Sequence, residues 1–224
     1  MKKTFFAIAL AFIVTGVKAQ PKPGTFSVTP KVGVNLAKLT KFDWGIEGAK
    51  TRYNTGFAGG VDVSYQATDI SAVSVGVFYS GQGLRITDFT TENGDGTYMG
   101  VNNMHWNLHY ISVPLVCHVY VAEGLSVNAG VQAEYLLGNR FKSESTRFTV
   151  DETGKRTYEP MQKNSSESTF VRKFDLAIPV GLSYEYMNVV LDARYNLGLL
   201  KVFKDGWSSQ NSFFTFTVGY KFDL

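Results

Sequence analysis

Period two dominates the sequence. From position 214 to the last residue, Phe214, Phe216, Val218, Tyr220, Phe222 and Leu224 share one face of an extended segment, and Thr215, Thr217, Gly219, Lys221 and Asp223 share the other. Successive side chains of a strand point to opposite sides, so strict alternation predicts a strand between two different environments. The pattern recurs upstream in Val28, Val32 and Leu36, in Phe57, Val61, Val63 and Tyr65, and in Val73, Val75, Val77 and Tyr79. It continues in Ile111, Val113, Leu115, Cys117 and Val119, at odd positions of 125–137, at even positions of 174–186, and at odd positions of 189–199. We read eight strands.

Their connections alternate as well. Residues 67–70, 122–124 and 187–188 are short links, whereas roughly 38–53, 83–106, 139–172 and 201–211 are long and polar. Short turns at one end and long loops at the other predict an all-β fold, an eight-stranded antiparallel transmembrane β-barrel with short periplasmic turns and long extracellular loops. A soluble sandwich or lipocalin-like barrel would alternate too, with its apolar faces inward. Three features favour the membrane. The faces opposite the apolar stripes carry Lys31, Asp62, Glu134, Asp175, Glu185, Asp192, Arg194 and Lys221, charges of both signs that a soluble core rarely tolerates. Aromatics such as Phe26, Phe57, Tyr65, Tyr79, Tyr135, Phe174, Tyr184 and Tyr186 gather near segment ends, where interface girdles form. The unequal loop lengths are the third.

Charge and composition add the export route. The formal net charge is +3, and residues 1–19 hold three lysines, Lys2, Lys3 and Lys18, with no acid, so the remainder is neutral. A basic nucleic-acid surface is therefore not expected. A positive start, an apolar run from Phe5 to Val14 and the sequence Val17-Lys18-Ala19 predict a cleaved signal peptide over 1–19, too short for a membrane anchor. The barrel domain then covers 20–224. Cys117 is the sole cysteine, which rules out an intramolecular disulfide and a cysteine metal cage.

The last residues resemble the terminal assembly signal of bacterial outer-membrane barrels, with Thr217, Gly219, Phe222 and Leu224 at its four positions. Lys31-Val32-Gly33-Val34-Asn35-Leu36, Val77-Phe78-Tyr79-Ser80-Gly81-Gln82-Gly83 and Tyr110-Ile111-Ser112-Val113-Pro114-Leu115 are similar to stretches of the PorT-like outer-membrane β-barrel family of Bacteroidetes-type bacteria. Ala129-Gly130-Val131-Gln132-Ala133-Glu134-Tyr135-Leu136-Leu137 and Ala193-Arg194-Tyr195-Asn196-Leu197-Gly198-Leu199 extend the resemblance to essentially the whole mature chain. It implies an outer-membrane barrel, mostly without a defined activity; one member of the family is implicated in type IX protein secretion.

No catalytic constellation emerges. His109 and His118 lie nine residues apart, hence on opposite faces, with His109 toward lipid or interface, His118 inside and His105 at a loop end. Gly56, Gly59, Gly60, Gly81 and Gly83 precede no helix pattern, so a phosphate loop is excluded. Asn93-Gly94-Asp95-Gly96 resembles a calcium loop but lacks the closing Glu, and reads as a turn. The eight interior charges are expected to pair across the lumen, because an eight-stranded barrel is filled by its side chains. No enzyme activity, cofactor or metal is expected. The expected partners are outer-membrane lipid, the barrel-assembly machinery and an extracellular or periplasmic protein. The expected role is structural or partner-binding through the extracellular loops, accessory to secretion by the resemblance, and the alternative is a narrow porin-like channel for small solutes.

Overall fold

The computed structural model describes residues 22–40, 49–204 and 209–224. The signal peptide read at 1–19 lies outside them. Twelve strands form one antiparallel sheet: β1 (Phe26–Thr40), β2 (Thr51–Thr68), β3 (Ser71–Ile86), β4 (Phe89–Asn93), β5 (Thr97–Ala122), β6 (Leu125–Val150), β7 (Arg156–Tyr158), β8 (Gln162–Ser166), β9 (Phe174–Tyr186), β10 (Val189–Gly198), β11 (Gln210–Tyr220) and β12 (Phe222–Asp223). Eight of them close on themselves in the order β1-β2-β3-β5-β6-β9-β10-β11, with β11 returning to β1 from Lys31↔Gly219 to Thr40↔Gln210. Closure leaves no open edge in the wall, which a spanning sheet requires because lipid offers the backbone no hydrogen-bond partner.

The expected strands are all present, and the alternation is realised as an inside and an outside. Val32, Val34, Val63, Val75, Leu115, Val131, Val180, Leu182, Leu191 and Val218 face outward and are exposed. Ser74, Asn128, Ser183, Asp192 and Asn196 face inward and are buried. Aromatics border the apolar wall at both ends, as the segment ends suggested. Phe26 meets Tyr65 at 4.9 Å and Tyr220 meets Phe222 at 5.0 Å at the periplasmic rim. Phe57 meets Tyr79 at 6.1 Å and Tyr195 meets Phe214 at 4.8 Å at the other. The short links are tight turns. Met187 and Asn188, at φ 48° and 67°, form a two-residue hairpin of the kind whose twist matches the strands it joins.

Two of the long connections are not loops. β5 and β6 each run for 26 residues, roughly 85 Å of strand, against the ~9–11 residues a membrane crossing needs. Their ladder continues past a register shift at His109/Tyr110 and on to Thr97↔Thr149. β4 adds to β5, and β7 and β8 add to β6, so most of 83–106 and 139–172 is a projecting sheet. The polar composition that suggested loops has a different cause. Above the membrane both faces of a sheet are wetted, so the ladder persists without the apolar stripe that marks a membrane strand.

Candidate functional site

Three layers fill the lumen from periplasm to exterior. At the periplasmic mouth, Ser27, Thr29, Gln66, His118, Ser126, Glu185 and Lys221 line an open cavity of about 50 Å³. Lys221 Nζ donates to Glu185 Oε2 at 2.6 Å, and Ser74 Oγ lies 2.9 Å from His118 Nε2.

The second layer is a buried four-charge cluster. Lys31 Nζ sits 2.7 Å from Asp62 Oδ2 and 3.1 Å from Asp192 Oδ2. Arg194 Nη2 reaches Asp192 Oδ2 at 2.5 Å and Asp62 Oδ2 at 3.8 Å. Two cations and two carboxylates leave the cluster neutral. Small inward residues make room for it. Gly181 lies opposite Arg194, and a Cβ there would stand 2.9 Å from Arg194 Cγ. Gly219 lies opposite Lys31, and its Cβ would meet Lys31 Cγ at 2.6 Å. The frequent inward glycines thus relieve crowding beside long charged side chains.

Above this cluster, Glu134 and Asp175 occupy facing positions on β6 and β9. Contrary to expectation, neither pairs with a cation. Glu134 Oε1 accepts from Gln82 Nε2 at 2.7 Å, Ser112 Oγ at 2.8 Å and Gln132 Nε2 at 2.9 Å, and Asn211 Nδ2 donates to Asp175 Oδ2 at 3.0 Å. Neutral donors replace the missing cation because Lys31 and Arg194 are both committed to Asp62 and Asp192. Of the eight expected lumen charges, the structure therefore brings four into one cluster, two into a separate pair, and leaves two among amides and hydroxyls.

The third layer reverses the chemistry of the interior. Leu39, Leu84, Ile86, Trp106, Leu108, Tyr110, Leu136, Val171, Val202 and Phe203 form a buried apolar cluster at the extracellular end. Trp106 packs on Phe203 at 4.9 Å. Two chain segments are tied across the mouth by Arg172 N donating to Val202 O at 2.8 Å and Lys204 N donating to Phe170 O at 2.9 Å. Gly83, at φ +124°, holds its backbone against the Trp106 carbonyl where no other residue would fit. Among the described residues this apolar cluster plugs the lumen at this end. Sequence reading missed the plug because Leu84 and Ile86 alternate with Arg85 in the sense of a soluble barrel, apolar inward and polar outward, opposite to the wall below.

Outside the seal, Tyr98, Phe148 and Tyr158 stand in register across β5, β6 and β7. Their rings are 5.3 and 5.2 Å apart, and the Arg156 guanidinium lies 5.4 Å from the Phe148 ring centroid. The turns of this sheet are internally braced. Asp95 Oδ1 accepts from Thr97 Oγ1 at 2.6 Å and Thr97 N at 2.9 Å, which holds its carboxyl below the usual range. Asn93-Gly94-Asp95-Gly96 is accordingly the turn between β4 and β5.

The remaining sequence candidates fall as follows. His109 faces outward, within 2.5 Å of the Tyr79 hydroxyl, and His118 faces inward, as their spacing required. His105 is not at a loop end: it lies within β5, between Arg85 and Lys142. Thr217 and Gly219 face the lumen, while Phe222 and Leu224 face out from the closing strand, whose last residues pair Ser27 and Val28 of β1 through β12. Among the described residues no group of three or more His, Cys, Asp or Glu is placed to hold a metal ion.

Comparison with solved structures finds similar folds. The crystal structure of Ail, the attachment invasion locus protein of Yersinia pestis, is 17% identical over 89% of this chain and 99% of that one, with a TM-score of 0.46. Neisserial surface protein A is 15% identical over 88% and 97%, with a TM-score of 0.43. The outer membrane protein OprG from Pseudomonas aeruginosa is 12% identical over 92% and 99%, at 0.36. No curated protein matches the sequence. The family model for the outer membrane protein beta-barrel domain matches residues 18–204. That match runs from β1 through β10, all of the ring but its closing strand, and with it the chain belongs to the outer membrane protein beta-barrel domain family, an integral protein of the outer membrane.

Proposed function

We propose that this barrel is a closed post that holds the projecting β4–β8 sheet outside the cell, where the sheet binds a protein partner. The observation that carries this reading is the in-register row Tyr98–Phe148–Tyr158 with Arg156 beside it, whose first two members stand on β5 and β6, strands continuous with the membrane wall. Aromatics and Arg are the side chains that most often anchor protein interfaces, and a rigid ladder spares the ordering cost that a mobile loop would carry on binding. The reading makes the protein a non-enzymatic binder. The PorT-like motifs of the first, third and fourth strands of the ring support a finer version, in which the partner belongs to a protein-secretion apparatus.

A photo-crosslinking residue at Tyr158 on intact cells is expected to trap a discrete partner, and the same residue at Ile70 on the periplasmic rim is not. With the photo-crosslinking residue placed instead at Tyr98, which the replacement leaves in the chain, a strain producing a variant with residues 143–166 replaced by a short turn should insert the barrel but lose the adduct and, for the secretion version, lose cargo export. Normal export with that variant would remove the secretion version. The narrow-pore alternative requires a lumen open at both ends. The plug predicts no steady single-channel conductance in planar bilayers, and a reproducible open level would favour the pore.

A further inference from the structure

Glu134 on β6 and Asp175 on β9 stand directly opposite each other, and both side chains are buried in the lumen. Like charges in that arrangement repel, with their Cα atoms about 4.5–5.5 Å apart. Neither residue joins an ion pair among the described residues. The other lumen charges cancel: Lys31 and Arg194 against Asp62 and Asp192, and Lys221 against Glu185. Two carboxylates are therefore left uncompensated between a neutral cluster on one side and the apolar plug on the other.

The amides around the pair are oriented by it. Gln82 Nε2 donates to Glu134 Oε1 at 2.7 Å and to Ser80 Oγ at 3.0 Å, so both its N–H bonds are spent. Asn211 Nδ2 donates to Asp175 Oδ2 at 3.0 Å. Turning either amide over would set its carbonyl oxygen against a carboxylate oxygen, which fixes the orientation of both. Each amide oxygen is thereby left over. Glu134 Oε2, Gln82 Oε1 and Asn211 Oδ1 are buried and accept no hydrogen bond. These three residues and Asp175 are each no more than 3% exposed. Every leftover atom of the layer is an oxygen, and buried acceptors beside uncompensated carboxylates call for positive charge. A cavity of about 30 Å³, large enough for water, separates the layer from the cluster; it is lined by Ser80, Ser112 and Gln132 and by Lys31, Asp192 and Arg194.

We propose that this layer binds a calcium-sized divalent cation, held by Glu134 and Asp175 with the amide oxygens of Gln82 and Asn211. The inference is independent of the projecting sheet and its partner. An all-oxygen set suits a hard cation rather than zinc or copper, which favour nitrogen and sulfur. Amide oxygens complete it where no third carboxylate or His stands among the described residues. Calcium takes six to eight oxygens in flexible geometry, whereas magnesium demands a near-ideal octahedron and keeps its waters. The double positive charge balances the two carboxylates, and the ligands tie β3, β6, β9 and β11 together beneath the plug.

The test uses the full mature barrel, refolded into phosphatidylcholine vesicles with calcium chloride or with a chelator. Bound calcium is measured by plasma mass spectrometry after gel filtration, and urea titration reads stability. Wild type should retain a calcium ion per barrel. Its unfolding midpoint should rise with the logarithm of free calcium, as for any ligand that binds only the folded state. Magnesium should give a much smaller shift. The double variant Glu134→Gln with Asp175→Asn keeps the size of both side chains. It should retain no calcium, lose the shift and be more stable than wild type in chelator, because the uncompensated charge is gone. Asp151→Asn with Glu152→Gln, in the exposed turn after β6, should keep both the ion and the shift. The heat-modifiable band on a gel shows which variants fold. Equal wild-type midpoints in calcium and in chelator would overturn the proposal and assign the balance to a shared proton. Calcium retained by the Glu134/Asp175 double variant, calcium lost from the turn variant, or a double variant that is less stable than wild type in chelator or does not fold would overturn it as well.

Discussion

Replacing Arg194 with Met removes one of the two cations from the buried cluster while keeping a side chain of similar length over Gly181. Asp62 and Asp192 then share Lys31 alone, at 2.7 and 3.1 Å, and the cluster passes from neutral to a charge of −1. Breaking a buried pair by deleting one partner costs about 3–5 kcal/mol, because the other charge stays desolvated and uncompensated. Lys31 still contacts both carboxylates, so the lower end applies, about 3 kcal/mol. With a urea dependence of about 2 kcal/mol per molar, the unfolding midpoint should fall by roughly 1.5 M. The assay is urea titration of the barrel in lipid vesicles, with the folded fraction read from the mobility of unboiled samples. Adding Asp192→Asn restores neutrality, and the double variant should recover most of the loss, a coupling that two unrelated defects would not produce. A single variant with an unchanged midpoint, or a double variant no more stable than the single, would refute the structural role of the cluster. Stable conductance appearing in Arg194→Met without loss of stability would instead favour an ion path.

Two further outcomes follow from the wall and its ends. Phe222 faces lipid at the periplasmic rim, where a charged substitution costs only about 0–1 kcal/mol; if Phe222→Asp or deletion of the last residues nonetheless abolishes the heat-modifiable, protease-resistant form, the terminal residues act in assembly rather than in final stability, and normal insertion of both variants would disprove that role. Trypsin added to intact cells should cut after Lys155, at the end of the exposed turn between β6 and β7, and leave the strands of the membrane wall protected; cleavage only after the outer membrane is permeabilised would invert the orientation.

The wall was legible in the sequence because lipid imposes the strictest pattern a strand can carry. Between Val189 and Leu199, or Phe214 and Leu224, every second residue must tolerate hydrocarbon and its neighbours must fill a narrow lumen, so alternation alone assigns each side chain to a face. Strand number, turn positions, girdle aromatics and the inward direction of Lys31, Asp62, Glu134, Asp175, Glu185, Asp192, Arg194 and Lys221 all follow from that one constraint. It says nothing about which inward residues meet. That depends on the stagger between strands far apart in sequence, which brings Lys31 to Asp192 and leaves Glu134 facing Asp175. It also lapses where the lipid ends. Beyond the outer girdle the surroundings are water, the favourable arrangement inverts, and Leu84, Ile86, Trp106 and Leu108 turn inward as an ordinary core while polar residues face out. The sequence over 83–106 and 139–172 therefore reads as loop, although the backbone ladder between β5 and β6 continues outward past its register shifts. Only the closed ring, by bringing β3, β5, β6 and the segments around Val171 and Phe203 together at one mouth, decides that these residues seal the lumen and carry a sheet above it.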